Sequence, residues 1–489
     1  MKSKIVIFVT LFVVLNSSFL ILNSFSQWEP DVRLTNASGI SQPASNNAWS
    51  IGVNENVVHS VWSDNRDGIV PEIYYKRSTD SGINWGSDIR LTFNALYSYY
   101  PSIAVSGSFV HVVWEDGRDG NIEVYYKRST DGGINWGPDT RLTNNDSSSV
   151  TSSITVSGTT VHLVWSDDRD GNFEIYYKRS SDGGLNWSLD TRLTNAISFS
   201  KYPSIAVSGL VVHLAWQDNR IGGDKIYYKR STDGGINWGT DTCITNNTYS
   251  NTYPSIAVSG SLVHVVWQDA RALNADIYYR RSSDNGLNWG AENSLTTDSN
   301  HSYLPSIATS NTLVHVVWYD YRDGNGEIYY KRSTDGGINW GLDTRLTNNT
   351  SESRFPSIAV SGPLTHIIWS DNRDAYPNYE IYYKRNPTGN TVGIQNIYSE
   401  VPTAFSLEQN YPNPFNPITK VRFNISGFRF VKLVVFDILG KEVATLVNES
   451  LQPGTYEVTF DAASLSSGVY FYKITAGDFS AIRKMVLVR

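Results

Sequence analysis

From residue 27 to residue 385 the apolar positions fall in short alternating runs broken by Gly, Asn and Asp, with no stretch of helical period. The runs recur. Trp62, Trp114, Trp165, Trp216, Trp267, Trp318 and Trp369 follow one another at an interval of 52 and then of 51 residues, so the period marks a structural repeat present seven times. A second tryptophan series, Trp85, Trp136, Trp187, Trp238, Trp289 and Trp340, closes a Ser-x-Asp-x-Gly-x-x-Trp motif that occurs only six times. Within one copy the pattern predicts four strands: Pro101 to Ser106, Val110 to Trp114, Glu123 to Ser129 and Trp136 to Thr143. Four-stranded units at this spacing predict the blades of a propeller, whose closed ring removes exposed sheet edges.

The absence of a seventh such motif follows from that closure. The last copy supplies Phe355 to Gly362, Thr365 to Asp371 and Glu380 to Arg385, and then stops one strand short. Trp28-Glu29-Pro30-Asp31-Val32-Arg33-Leu34-Thr35 parallels Trp136-Gly137-Pro138-Asp139-Thr140-Arg141-Leu142-Thr143. The expectation is an all-β, seven-bladed propeller whose last blade is completed by this N-terminal strand. A turn that links the third strand to the fourth has no place where those strands are far apart in sequence.

The repeated Ser-x-Asp-x-Gly-x-x-Trp resembles the Asp box, or BNR repeat, of the sialidase-like propellers. In each copy the Asp carboxylate (Asp80, Asp131, Asp182, Asp233, Asp284, Asp335) suits the backbone N–H groups of its own turn, the Gly permits positive φ and the Trp packs the hairpin. These residues read as structural, and the resemblance implies that they lie on the face away from a ligand site. The second motif, Trp-x-Asp-x-Arg, is present in all seven copies: Asp64 with Arg66, Asp116 with Arg118, Asp167 with Arg169, Asp218 with Arg220, Asp269 with Arg271, Asp320 with Arg322, and Asp371 with Arg373. It offers either a ring of forks for carboxylates or sulfates, or a ladder of ion pairs holding neighbouring blades together. Variable loops rich in Tyr, Asn and Ser, with Tyr97, Tyr99, Tyr249 and Tyr303, should share its face and form a binding rim.

Composition narrows the chemistry. Lys and Arg number 40 against 47 Asp and Glu, so no basic nucleic-acid footprint is present. The Arg of each Asp-x-Arg stands where a calcium loop such as Asp320 to Glu327 would need its second oxygen ligand. His59, His111, His162, His213, His264, His315 and His366 recur on second strands, too far from the axis to converge on one ion, and read as hydrogen-bonded core residues. No metal or cofactor is expected. A retaining sialidase needs an asymmetric pocket of arginines, a tyrosine nucleophile, a glutamate and an aspartate acid; the family's Arg-Ile-Pro motif is absent, and only Glu115, Lys201, His301, Tyr321 and Arg354 stand out from the repeat. The reading is therefore a non-catalytic propeller for a polysaccharide or surface-protein ligand, expected to be a monomer, with a sialidase-type glycoside hydrolase as the alternative.

Both ends of the chain speak of export. Lys2 and Lys4, the apolar run Ile5 to Leu22 and Ser24-Phe25-Ser26 fit a signal peptide over 1–26. Its two lysines and lack of acids take the net charge from -7 to -9 once it is removed. The single cysteine, Cys243, leaves stability to packing. After a linker at 386–400, Leu407 to Pro417, Val435 to Val443, Leu465 to Lys473 and the closing Lys484 to Arg489 resemble the C-terminal sorting domain of type IX secretion. That resemblance implies an immunoglobulin-like β-sandwich over 401–489, contact with the secretion machinery, and passage across the outer membrane to the cell surface or medium.

Overall fold

The computed structural model describes residues 28–44, 49–68, 70–271, 274–374, 378–387, 395–398, 402–427, 429–451, 453–462 and 465–488. The expected signal peptide lies outside them. Seven antiparallel sheets form the N-terminal part, each running outward from an inner strand. In the second blade the strands are Ser98–Ser106, Phe109–Asp116, Glu123–Ser129 and Thr140–Arg141. The inner strands neighbour one another in sequence order, and Ile51–Asn54 of the first blade lies against both Ser98–Ser106 and Ser353–Ser361. The ring is closed and seven-bladed.

Three strands differ in length from the sequence pattern, the second running Phe109–Asp116 where Val110 to Trp114 is expected. The inner strand begins three residues early, at Ser98, because a register shift between Tyr99 and Ser102 lets pairing continue past Pro101. The outer strand shrinks to two residues because Trp136 leaves the ladder and packs edge-on against Tyr75 of the preceding blade, ring centroids 4.9 Å apart. The second strand is buried on both sides, between adjoining blades, along nearly all of Phe109–Asp116.

That tryptophan contact is the repeated joint between blades. All seven junctions have it, at 4.9–5.1 Å, and each edge-to-face pair adds about 1 kcal/mol to the area it buries. The tyrosine hydroxyl is held by the repeat histidine of its own blade, at 2.6–2.8 Å from Nδ1. Above the ring lies the next Asp-box turn: a Cβ on Gly133, at φ +80°, would overlap the Tyr75 hydroxyl. Arg77 donates to Gly132 O at 2.8 Å beside it.

The seventh blade is completed by the N-terminus. Val32 and Arg33 pair with Tyr383 and Tyr382, and Asp31 takes Arg373 and Lys384 as Asp139 takes Arg118 and Lys127. Thr35 Oγ1 donates to Glu380 at 2.5 Å, and Trp28 fills the Asp-box tryptophan position against Tyr330.

The C-terminal part is a sandwich of two four-stranded sheets. Val421, Phe423, Leu433, Val435, Val458 and Ile474 are fully buried between them. Within the span read as linker, Gln395–Tyr398 pairs with Gly454–Asp461 as an edge strand of this sandwich.

The histidines make the ring sensitive to acid. Burial pushes His59, His264 and His366 down to about 3, His111, His162 and His213 to about 4, and His315 well below its ordinary value. Above about pH 6.5 both folded and unfolded chains carry neutral imidazoles, so nothing is lost. Below it the unfolded chain takes up protons that the folded chain refuses, at about 1.4 kcal/mol per histidine per pH unit. Calorimetry should therefore give a constant Tm from pH 7 to 8.5 and a steep fall between pH 6.5 and 4. A Tm unchanged down to pH 4.5 would contradict burial of the imidazoles in neutral form.

Candidate functional site

The two ends of the ring carry different chemistry. At one end the Asp-box carboxylates are used by their own turns. Asp131 Oδ1 accepts from Ser129 Oγ and from the backbone N–H groups of Ile134 and Asn135, and Oδ2 accepts from Asn135 Nδ2, all within 3.1 Å. These donors hold the carboxyl below its usual range. Asp80, Asp182, Asp233, Asp284 and Asp335 repeat the arrangement.

At the other end lie the seven Asp-x-Arg pairs, and they are closed. Asp116, buried, accepts Arg118 Nε at 2.8 Å and Nη2 at 2.7 Å, together with Trp114 Nε1 at 2.7 Å. Arg118 Nη1 reaches Asp139 at 2.8 Å, and the guanidinium lies 4.3 Å above the Tyr125 ring. Asp64 with Arg66, Asp167 with Arg169, Asp218 with Arg220, Asp320 with Arg322, and Asp371 with Arg373 repeat the ion pair, completed by Asp88, Asp190, Asp241, Asp343 and Asp31, although Arg66 Nε makes no hydrogen bond. In the fifth blade Arg271 bridges Asp269 and Glu292. Apart from Asp298, in the connection from the fifth blade, which Arg322 also meets at 2.9 Å, every partner belongs to the same blade. The ladder thus mainly ties strands within a blade; at this end of the ring lysine adds a link between blades, as when Lys76 Nζ donates to Leu34 O at 2.5 Å. The next acid of the loop is also engaged: Asp119 accepts the Tyr125 hydroxyl and pairs with Arg141. Among the described residues no group of three or more His, Cys, Asp and Glu is placed to hold a metal.

Above this invariant layer is a tier where the blades differ. Each complete inner strand bulges there, and the bulge places a non-glycine residue in the left-handed region: Tyr100, Thr151, Tyr202, Tyr253, Leu304 and Phe355, at φ 46–55°. Such residues cost on the order of 1 kcal/mol each and serve to re-aim side chains. Tyr202 and Tyr253, from adjacent blades, meet with centroids 4.7 Å apart. Five of the six precede Pro, which favours extended backbone at that position and gives no hint of the left-handed turn.

Register brings three of the symmetry-breaking residues to the same tier: Glu115 opposite Tyr99, Lys201 opposite Gln217, and Arg354 opposite Ser370. Glu115 Oε1 accepts the Thr151 N–H at 2.7 Å, and burial pushes the carboxyl up to about 7. Lys201 sits 3.9 Å from the centre of the Phe173 ring, and Arg354 pairs with Glu352. Of the rim tyrosines, Tyr97 and Tyr99 join Tyr100 in one aromatic run. Tyr303 packs with His301, Tyr319 and Tyr321 in another, while Tyr249 stands half exposed. On the axis Trp49 stands where five other blades have Pro, and packs against the cluster of Ala206 and Ile256. It borders a cavity of about 210 Å³ lined by Ile103, Val105, Val207, Val258 and Val360.

Because Asp116 has no access to water, replacing its fork should act on stability. Arg118→Ala strands a buried carboxylate and is expected to cost about 3–5 kcal/mol in urea unfolding. Unchanged stability would show that the pair is not a structural tie.

Residues 409–488 match the family described as the secretion system C-terminal sorting domain. No curated protein matches the chain. Among solved structures it is similar to the polysaccharide lyase Uly1, at 10% identity and a TM-score of 0.52 over 73% of this chain and 99% of that one. An ulvan lyase of polysaccharide lyase family 25, bound to a glucuronate and sulfated rhamnose unit, gives 10% identity and a TM-score of 0.54 over 72% and 95%. A Trypanosoma rangeli sialidase mutant is similar at 12% identity and a TM-score of 0.43 over 94% and 88%. The propeller shares its fold with these polysaccharide lyases, and the sorting domain at 409–488 sends the protein through type IX secretion to the cell surface or the extracellular space.

Proposed function

We propose that the chain is a non-catalytic binding propeller, which captures a polysaccharide or a surface protein on its Asp-x-Arg face after export. Residues 1–26 serve the first step of that export, and the C-terminal domain serves the second. The observation that carries the binding reading is the gathering of several symmetry-breaking side chains in one tier. The charged forks of all seven blades are ion-paired internally, whereas Tyr99, Glu115, Lys201, Tyr202, Tyr253 and Arg354 differ from blade to blade at one mouth. Variable side chains on a rigid ring are the arrangement expected of a recognition surface. Of the two ligand classes a polysaccharide is the better fit, because clustered tyrosines present ring faces to sugar C–H groups and hydroxyls to sugar hydroxyls.

A sialidase-type hydrolase is the second reading, favoured by one feature: a tyrosine and a carboxylate share the mouth, where the Tyr202 phenol is raised first by burial, then by Tyr253, and least by the Glu115 charge. The two separate in one assay. A fluorogenic sialoside should not turn over with the full-length protein, and turnover lost on Tyr202→Phe would decide for the enzyme. On a broad glycan array the native protein should bind, and Tyr99→Ala and Tyr249→Ala should each weaken binding by at least threefold. An empty array together with an empty cell-surface pull-down would overturn the binding reading. Deleting residues 401–489 should abolish surface delivery; unchanged delivery would refute the role of that domain as the sorting signal.

A further inference from the structure

The tier residue that precedes the repeat aspartate is satisfied in three blades and left without a partner in the fourth. In blades one, three and seven it is serine with a partner: Ser63 donates to Gln42 O, Ser166 meets Thr151 Oγ1 at 2.7 Å, and Ser370 donates to Ser41 O. Blade four carries Gln217, which is 5% exposed, and its Oε1 is buried with no hydrogen-bond partner. Blade two carries Glu115, also 5% exposed, whose single hydrogen bond runs from the Thr151 N–H to Oε1. A buried polar group left without a partner costs about 1–3 kcal/mol, so a fold that strands one at the mouth of a variable face has a reason to keep it. The two side chains flank blade three, which has only Val150, Thr151 and Ser166 at this level. Tyr202, displaced by its bulge, adjoins Gln217 in blade four.

A carboxylate accepts hydrogen bonds, and a carboxamide donates and accepts. Together with an aromatic face this set matches a sugar ring that offers adjacent hydroxyls. It does not match an anionic sugar. Arg354 is taken by Glu352, Lys201 rests on Phe173 with the Asp168 charge acting on it, and Glu115 would oppose a uronate or sulfate. We infer that Glu115, Gln217 and Tyr202 form a subsite for an uncharged sugar unit, whose hydroxyls supply the partner that Gln217 Oε1 lacks and add to the single hydrogen bond of Glu115. This rests on the glycan-binding reading above and names the place and the ligand class.

The test is calorimetric titration of the full-length protein at pH 7.5 with cellohexaose, mannohexaose, xylohexaose, laminarihexaose and hexagalacturonate. At least one neutral hexaose should bind more tightly than hexagalacturonate. Gln217→Leu should weaken that binding at least tenfold while leaving Tm unchanged or higher, because it removes a stranded amide and keeps the volume. Glu115→Ala should weaken it similarly. Neutral binding that survives both substitutions and is lost in Tyr249→Ala would overturn the subsite and leave the rim reading standing. Tighter binding of hexagalacturonate than of every neutral hexaose would overturn the ligand class. No binding of any glycan, with a surface protein captured instead, would overturn the subsite together with the polysaccharide reading.

Discussion

Everything in the propeller depends on one contact made between neighbouring blades: a third-strand tyrosine lying beneath the Asp-box turn of the next blade. The tyrosine hydroxyl needs a buried partner, which the histidine supplies; the turn needs a glycine, because the ring leaves no room for a Cβ. The tryptophan then meets the tyrosine edge-on. The repeat's histidine, tyrosine, glycine and second tryptophan are accounted for by this joint. A ring of such joints is stable only if none is missing, and the one that sequence order cannot supply is made by Trp28 against Tyr330.

The Asp-x-Arg pairs show how a motif that looks like a binding device can be consumed by the fold. Each guanidinium is held by a buried carboxylate, a second acid on the outer strand and a tyrosine face, and so fixes the loop between second and third strands. The ring of forks thereby becomes a rigid collar. What stands above it, the bulged residues and their cross-strand partners, is free to vary because the collar and the joints below already determine the fold. Strain at six left-handed residues and a stranded amide at Gln217 both fall in that tier.

Much of this was legible in the chain. Tryptophan spacing gave the number of blades, and the likeness of Trp28 to Thr35 to Trp136 to Thr143 gave the closing strand, because a repeat repeats its contacts as well as its letters. The partners of Arg118 were not legible, since nothing in a motif says whether a long side chain reaches within its blade or beyond it. The left-handed bulge was hidden because Tyr100 precedes Pro101, a context that points toward extended backbone. Glu115 and Lys201 stood out as departures from the repeat, but their common level at the mouth depends on register, and Gln217 became conspicuous only once its missing partner was visible. Gln395–Tyr398 joins the sandwich through a ladder to residues some sixty positions further on, beyond the reach of local pattern.

The central claim is that the N-terminal segment is a structural member of the ring, and a chain beginning at Asn36 tests it most directly. Without Trp28, Asp31 and Thr35, that chain should lose the cooperative thermal transition of the propeller, and a synthetic peptide spanning residues 28–35 should restore it. A chain beginning at Asn36 that melts cooperatively at the temperature of the intact protein would contradict the account.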